Sequence, residues 1–439
     1  MRRISLLTPL LLLPLAYAAS EAEKYWPQWR GPYHNGSTSA ATGLPTTWSE
    51  TENVKWKVRL PSWAAATPII WDDTVLVTSA EEGFSTLAEQ RQRTPAPAPS
   101  SRDKILLLAV NRADGAVKWQ KVVGGENRVY RKQNLASPSP VTDGSHIWIM
   151  TGSGILSCLD FNGEIKWQRD IPKDYGTFGL NHGYASSPLL EGDRLYVQVL
   201  HGMKTDEPSY VFAVDKATGK TLWKVDRWTD AQNESPDDYS TPLMATVDGK
   251  QQLIVSGGDY VTGHDPESGK ELWRMGGFNP NDEPFYRTIA SSIVIGDVIY
   301  TPSTRGKPFI AFRAGAGDDA TLWSNDLGAD VPTPTTDGKR IYVINDRGIA
   351  VALDAKTGEI IWDRQRIEPG TYSASPLLAD GKIYATSEDG VTTVLKAGAE
   401  FQILAVNRLD EHTLASPAAV GRQIFLRTEE HLYCFEQAP

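Results

Sequence analysis

The chain has 439 residues, of which 40% are apolar, 22% are charged and only two are cysteines. This composition excludes the collagen-like, disordered and disulfide-rich classes of protein. With 44 basic against 54 acidic side chains the formal net charge is −10. Nucleic acid is therefore not expected as a partner, because neutralising phosphates needs a basic surface.

Residues 1–18 have the pattern of an export signal. Arg2 and Arg3 precede an apolar run from Ile4 to Leu15, and Ala16-Tyr17-Ala18 has the small-x-small pattern of a signal peptidase site. We expect cleavage after Ala18 or Ala19 and a periplasmic or secreted protein. The alternative is a membrane anchor, but about 20 apolar residues are needed to span a bilayer. No cysteine follows the cleavage site, which argues against a lipoprotein, and no later stretch predicts a transmembrane segment.

After an N-terminal extension at 19–53, the sequence repeats through residues 54–439. A Ser/Thr-Pro pair marks most units at intervals of 41 to 70 residues. The marked positions are Thr67, Ser137, Ser187, Thr241, Thr333, Ser375 and Ser416, with Ser291 as a degenerate member. Such a period predicts a repeat architecture.

One unit, from Pro332 to Arg364, shows the internal pattern best. Three alternating segments, Arg340–Ile344, Ile349–Asp354 and Ile360–Trp362, follow a short one and are separated by turns of the Asp-Gly or Thr-Gly type. Period-2 alternation with these turns predicts a four-stranded antiparallel meander. A four-stranded unit of this length is typical of a propeller blade.

The ends of the repeat region distinguish a closed ring from an open solenoid. The last unit, Ser416 to Glu436, supplies only three strands, whereas Val54 to Leu60 is a single strand with Trp56 at the outer position. Together they complete one blade and leave no sheet edge unpaired. We therefore predict an all-β, eight-bladed β-propeller of four-stranded antiparallel blades, closed by the N-terminal strand joining the C-terminal blade.

Tryptophans recur in the outer strands, where we expect them to fill the wedge between blades and to donate the indole N–H to a neighbouring carbonyl. They are Trp56, Trp119, Trp167, Trp223, Trp273, Trp323 and Trp362, and Leu404 is expected at this position in the next unit.

Two other residue types recur at fixed places. Asp residues before a turn Gly are predicted to bond turn N–H groups rather than to act in catalysis. They are Asp160, Asp215, Asp265 and Asp354. The cysteines, Cys158 and Cys434, occupy one strand position in units that are not neighbours, so we expect both to be buried and unpaired.

The segments Val214–Trp223 (VDKATGKTLW) and Leu353–Trp362 (LDAKTGEIIW) resemble the pyrroloquinoline-quinone (PQQ) repeat. The likeness extends from Val54 to Glu436, and the segment from Trp26 to Gly36 is similar to the N-terminal signature of many exported PQQ-like propellers. The resemblance implies one of two branches. Quinoprotein alcohol dehydrogenases bind PQQ and calcium on the channel axis, whereas propellers such as the outer-membrane barrel-assembly lipoprotein are not catalytic.

The sequence departs from both branches. It has no adjacent cysteines and none of the long insertions that carry the calcium ligands and the base of the dehydrogenases, so no catalytic residue is carried over. It also lacks the lipobox cysteine of the barrel-assembly lipoprotein. We expect no cofactor, with PQQ and calcium as the alternative.

Loops of variable length connect the second strand to the third and each blade to the next. These loops share one face of a propeller, which we call the variable-loop face, and the short turns lie on the opposite, tight-turn face. Residues just before each inner strand should surround the channel mouth on the variable-loop face, where they suit a small polar ligand such as a sugar, an anion or a peptide end. Solvation of the channel entrance explains the same residues. These candidates are Trp63, Asn134, His182, Tyr184, Asp238, Tyr239, Tyr286, Arg287, Asp330, Tyr372 and His412.

Some of these candidates suggest particular chemistry. Arg287, beside Tyr286, offers a planar fork of donors for an anion, although surface solvation is the alternative. His182 and His412 suit proton transfer or metal binding, but the histidines are scattered and we expect no metal site. The adjacent Asp237 and Asp238 suit either calcium or a solvated turn.

Three longer loops form a possible docking rim on the variable-loop face. They are Glu81–Asp103, which contains a Pro/Ala tract, His201–Ser209 and Asp226–Asp238. The tract fits equally well as a neutral insertion. The complete blades and the lack of a catalytic constellation favour a non-catalytic propeller that binds a protein partner or a small polar ligand. A quinoprotein oxidoreductase with a divergent site is the alternative.

Overall fold

Each predicted repeat folds into one four-stranded antiparallel sheet, and eight such sheets form a propeller. The computed structural model describes residues 21–81, 104–130, 132–315 and 320–438. The predicted signal segment and the Pro/Ala tract lie outside the described residues. No described helix is long and apolar enough to cross a membrane.

The blades are numbered in chain order, with their strands given from the channel outward. Blade 1 has Ile69–Trp71, Thr74–Ala80, Ile105–Asn111 and Val117–Gly124; blade 2 has Val141–Thr142, His146–Met150, Ile155–Asp160 and Ile165–Asp170. Blade 3 has Leu189–Glu191, Arg194–Val199, Tyr210–Asp215 and Thr221–Asp226; blade 4 has Leu243–Val247, Lys250–Gly257, Tyr260–His264 and Glu271–Met275. Blade 5 has Ile293–Ile295, Val298–Pro302, Phe309–Arg313 and Thr321–Asn325; blade 6 has Thr335–Thr336, Arg340–Ile344, Ile349–Asp354 and Ile360–Arg366. Blade 7 has Leu377–Ala379, Lys382–Thr386, Val391–Lys396 and Ile403–Arg408; blade 8 has Ala418–Val420, Gln423–Arg427, His431–Glu436 and Val54–Arg59.

The helical segments that lie wholly within the described residues are short. They are the 3₁₀ turns Glu21–Lys24 and Thr304–Gly306 and the α-helix Ile171–Tyr175. A small hairpin, Val129–Tyr130 with Gln133–Asn134, lies between blades 1 and 2 on the variable-loop face.

The N-terminal strand closes the ring, as predicted. Val54–Arg59 pairs antiparallel with His431–Glu436, and Trp56 lies opposite Cys434. Cys158 lies opposite Trp167 in blade 2. The two cysteines therefore occupy equivalent positions in distant blades, and both are buried and free of disulfide bonds.

The recurrent Ser and Thr residues form a belt of hydrogen bonds around the channel. In each link a backbone N–H at this position donates to the hydroxyl of the next blade, at 2.9 to 3.3 Å. The residues linked in this way are, in order, Thr67, Ser139, Ser187, Thr241, Ser291, Thr333, Ser375 and Ser416. The belt corrects the predicted register in blade 2, where Ser139 rather than Ser137 holds the repeat position.

The core lies between neighbouring blades, where the outer-strand tryptophans pack against glycines of the next blade. Trp223 is typical: it donates to the carbonyl of Pro266 at 3.0 Å and covers Gly269, where a Cβ would lie only 2.4 Å from the ring. Five other tryptophans donate to a carbonyl in the corresponding turn of the next blade, and Trp273 donates to Gln252 of its own blade at 2.6 Å.

Blade 7 lacks an outer-strand tryptophan, and the N-terminal segment supplies one. Ala405, not Leu404, lies in the strand register that holds tryptophan in the other blades. Trp48 stacks on Tyr384 of blade 7 and on Phe435 of blade 8, with ring centroids 6.0 and 4.9 Å apart. Trp48 is buried and fills the wedge that blade 7 leaves open.

Residues 25–42 cross the channel on the tight-turn face. Trp26 pairs with Ile70 of blade 1, and Ser37–Thr38 adds a short parallel strand to the inner edge of blade 7. Between them, the buried guanidinium of Arg30 donates to the carbonyls of Asn35, Thr333, Pro334 and Pro376 at 2.9 to 3.4 Å. The N-terminal segment therefore spans from blade 1 to blades 6 and 7 across the channel.

Candidate functional site

A network of buried carboxylates joins the loops of blades 3, 4 and 5 on the variable-loop face. Glu234 is at its centre and is almost fully buried. Its Oε1 accepts a hydrogen bond from Asn181 Nδ2 at 2.9 Å and lies 3.3 Å from His182 Nε2, while its Oε2 lies 3.5 Å from Arg287 Nη1. One carboxylate thus holds two of the predicted candidates, His182 and Arg287, at the surface.

Asp237 fastens three loops together. Its carboxylate accepts backbone N–H groups from Asn181 at 2.6 Å, Gly202 at 2.9 Å and Met203 at 3.1 Å. Burial raises the pKa of Asp237 to about 6 in spite of these hydrogen bonds. Backbone donors occupy both of its oxygens, so its role in this geometry is to fix the loops.

Asp238 is fully buried between blades 3 and 4. Its Oδ1 accepts hydrogen bonds from Gln198 Nε2 at 2.6 Å and from the Ser240 N–H and hydroxyl at 2.9 and 2.8 Å, whereas its Oδ2 has no partner among the described residues. Burial raises the pKa of Asp238 to about 7. The carboxyl is therefore poised to carry a proton near neutral pH.

The structure brings four predicted candidates together at this place. Besides Asp238, they are His182, Tyr239 and Arg287. The Tyr239 hydroxyl accepts a hydrogen bond from the backbone N–H of His182 at 3.1 Å, and the centroids of the two rings lie 6.2 Å apart. Sequence reasoning missed Glu234 because it interpreted the residues before Asp237 as a solvated turn.

Four other candidates, Trp63, Asn134, Tyr184 and Tyr372, are buried in the scaffold. Asn134 donates to the carbonyl of Trp63 at 2.7 Å, which joins the connections that precede blades 1 and 2. Tyr184 lies against Phe178, with ring centroids 5.2 Å apart, and Tyr372 donates to the carbonyl of Glu368 at 2.7 Å.

The last three candidates hold backbone in blades 5 to 8. Tyr286 donates to the carbonyl of Lys307, and Asp330 accepts the N–H of Arg305 at 2.6 Å. The Nδ1 of His412 lies 2.9 Å from the carbonyl of Glu388.

Two large aromatic side chains are exposed on the two connections that also carry the carboxylates and Arg287. Trp228, with 64% of its surface exposed, is in the connection from blade 3 to blade 4, and Phe285, with 53% exposed, is in the next connection. Met203 lies in the intervening loop of blade 3 and is also exposed. We call Trp228, Phe285 and Met203 the aromatic patch. Most other exposed large apolar side chains lie on outer strands, around the circumference.

In the described part of the chain, no cluster of side chains matches a metal site. No group of three or more His, Cys, Asp or Glu side chains there is arranged to hold a metal ion. The two cysteines lie in distant blades, and burial raises the thiol pKa of each. These residues do not fit the calcium and vicinal-cysteine arrangement that the quinoprotein resemblance implies.

Comparison with known proteins identifies the relatives of the chain. A family model described as outer membrane protein assembly factor BamB matches residues 102–364 and 314–400. The BamB of Yersinia pestis is 24% identical over 298 residues, which are 66% of this chain and 66% of that protein. The match thus spans just under two thirds of the relative's own length.

Two solved structures share the fold. The crystal structure of BamB from Moraxella catarrhalis has a TM-score of 0.60 at 17% identity, covering 87% of this chain and 97% of that one. Quinohemoprotein alcohol dehydrogenase from Comamonas testosteroni has a TM-score of 0.66 at 11% identity, covering 94% of this chain and 80% of that one. Because the family model matches most of the sequence, the chain belongs to the family of PQQ-like propellers described as outer membrane protein assembly factor BamB.

Proposed function

We propose that this protein is an exported, non-catalytic propeller that docks a protein partner in outer-membrane protein assembly through the variable-loop face of blades 3 to 5. The family supports the class of partner, because the matched relatives are named outer membrane protein assembly factors. The export pattern of residues 1–18 supports a periplasmic or secreted location.

The observation that carries the proposal is the aromatic patch on the loops that the carboxylate network joins. Exposed Trp and Phe side chains are suited to anchor a partner, because aromatic residues supply much of the binding energy at protein interfaces. The loops that bear them are fixed from below by Glu234 and Asp237. Such a preorganised surface loses little conformational entropy on binding.

Charge at the patch gives the docking a preferred partner chemistry. Arg287 is about one quarter exposed and is held in place from one side by Glu234. A carboxylate of the partner would pair with the remaining donors of its guanidinium fork. A small acidic ligand or a peptide C-terminus would use the same contact, so the proposal covers the ligand chemistry expected from the sequence.

The docking face is tested by replacing its anchors. The double variant Trp228→Ser/Phe285→Ser should bind the cognate assembly-machinery component at least tenfold more weakly, since two anchors are lost, and should keep the wild-type Tm. The matched control is Leu222→Ser/Leu272→Ser, which removes two exposed apolar side chains from outer strands. Equal binding by both variants, measured by biolayer interferometry on the purified component, contradicts the assignment of the face.

The alternative function is a PQQ-dependent oxidoreductase with a divergent site, which the dehydrogenase neighbour favours by fold. The described residues do not offer its donor set, so no catalytic step is derived. We expect PQQ with calcium to leave the Tm unchanged and to support no dye-linked oxidation of alcohols or sugars. A saturable rise in Tm together with dye reduction would establish the oxidoreductase instead.

A further inference from the structure

The seam between blades 8 and 1 contains a buried guanidinium without a counter-charge. Arg427 ends the second strand of blade 8 and is fully buried. Its Nη2 donates to the carbonyl of Ser62 at 2.7 Å, but its Nε and Nη1 have no partner among the described residues. A buried charge without a partner is strongly unfavourable. The seam therefore calls for a negative group that the described chain does not supply.

The two other deeply buried arginines, Arg30 and Arg227, have more hydrogen-bond acceptors than Arg427. Arg30 has no carboxylate partner, but both of its terminal nitrogens donate hydrogen bonds to backbone carbonyls. Arg227 donates to the Thr262 hydroxyl and to the Tyr260 carbonyl, and Asp238 is an acidic neighbour that favours its charged form when ionised. Of these three side chains, Arg427 has the fewest hydrogen-bond acceptors among the described residues.

The repeat itself shows what is missing at this seam. Gln198 holds the position of Arg427 in blade 3, since each lies two residues beyond the second-strand partner of the first inner-strand residue. Gln198 Nε2 donates to the carboxylate of Asp238, which belongs to the next blade. Three residues before the belt Ser/Thr, the position of Asp238, blade 1 has Ala64. A methyl group thus stands where the equivalent seam places a carboxylate.

Other polar atoms at the same seam also lack partners. The hydroxyls of Ser62 and Thr67 and the indole N–H of Trp63 are buried without hydrogen bonds among the described residues. Thr67 is the acceptor that would complete the channel belt with Ser416. All three groups can donate hydrogen bonds. Unpartnered donors are therefore present on the chain that leads into blade 1 as well as on Arg427.

We infer that a small monovalent anion, between chloride and formate in size, binds Arg427 between blades 8 and 1 and takes the place that the Asp238 carboxylate has between blades 3 and 4. The complete burial of Arg427 favours a small anion over a large one. The site lies away from the aromatic patch, so the proposal is independent of the docking function.

The test is the dependence of Tm on the anion at constant ionic strength. The full-length mature protein is exchanged into gluconate, which is too large for the site, and then titrated with chloride or formate. Wild type should show a saturating rise in Tm of about 3 °C at a hundredfold excess over Kd. Arg427→Met should show no rise. A wild-type Tm that is the same in gluconate, chloride and formate overturns the proposal.

A second variant tests the site without removing the arginine. Ala64→Asp supplies the carboxylate internally, so its Tm in gluconate should equal or exceed that of wild type and should not respond to chloride. Arg227→Met is the control, which should lower the Tm but keep the chloride response. If Ala64→Asp responds to chloride as wild type does, the anion binds elsewhere and the proposal is wrong. This comparison decides the matter even if Arg427→Met does not fold.

Discussion

At the scale of single residues, burial decides which polar groups are poised to change charge. Asp238 has its pKa raised to about 7 by burial, whereas a hydrogen bond from the Thr218 hydroxyl holds the pKa of Asp215 below its usual range. Both are aspartates at recurrent places in the repeat, and the sequence alone gives no sign of this difference. The two pKa values differ because the surroundings of each carboxyl are formed by the packing of adjacent blades.

The raised pKa of Asp238 predicts a loss of stability with rising pH. The folded protein holds this proton up to about pH 7 and the unfolded chain releases it near 3.8, so the free energy of unfolding should fall by about 4 kcal/mol between these values. In urea melts from pH 4 to 8, Asp238→Asn should make the fall smaller, most clearly above pH 6, where Asp237 with its pKa of about 6 contributes little further change. Asp215→Asn should leave the fall in place, and an unchanged curve for Asp238→Asn would contradict the burial argument.

The outer-strand tryptophans predict a different kind of residue effect. Trp223→Ala removes a buried ring from the wedge between blades 3 and 4 together with its hydrogen bond to Pro266. We expect a loss of about 3 to 5 kcal/mol in the free energy of unfolding. The neighbouring Leu222 is 46% exposed, and Leu222→Ala should change stability by less than about 0.5 kcal/mol. Equal effects of both changes in urea melts would refute the wedge role.

At the scale of elements, the N-terminal segment has two structural roles that the repeat pattern does not predict. It crosses the channel with Arg30, and it provides Trp48 for the wedge that Ala405 leaves open in blade 7. A sequence signal existed, because blade 7 was the unit without a tryptophan and the segment carried spare ones. Period analysis does not assign residues outside the repeat to places inside it.

Two glycines in the N-terminal segment allow a test of how this segment is held against blade 7. A Cβ on Gly36 would stand 2.0 Å from the Arg30 guanidinium, whereas on Gly43 its nearest neighbour would be 3.6 Å away, and both residues have positive φ. Gly36→Ala should therefore displace the segment, and Gly43→Ala should add only local backbone strain. Hydrogen exchange at Leu378, whose N–H donates to the Gly36 carbonyl, should accelerate at least tenfold in the first variant alone. Equal protection in both variants would contradict the role assigned to Arg30.

At the scale of the whole molecule, the closed ring follows from the number of strands that the sequence predicts at each end of the repeat region. The last unit has three strands and the N-terminal strand with Trp56 has no partner in its own unit, so the two were predicted to form one blade. The pairing of Val54–Arg59 with His431–Glu436 confirms that prediction. The register of blade 2 could not be fixed in the same way, because Ser137 and Ser139 are both followed by proline. Only the hydrogen-bonded belt distinguishes them.

The candidate site was predictable in part. The sequence placed His182, Asp238, Tyr239 and Arg287 on one face, since all precede inner strands. It did not show that Glu234 holds His182 and Arg287 together, because contacts between loops of different blades have no periodic sequence signal. The contacts between these loops also determine which polar side chains are buried. Burial in turn decides whether a side chain can bind a ligand or supports the scaffold.

The most direct test of the docking function is photo-cross-linking in cells. A benzoylphenylalanine at position 228, replacing Trp228, should give one discrete product that mass spectrometry identifies as a component of the outer-membrane assembly machinery. The same probe in place of Tyr33, which is exposed on the opposite face, should not give it. Absence of the product at position 228, or equal yields from the two positions, would contradict docking through blades 3 to 5.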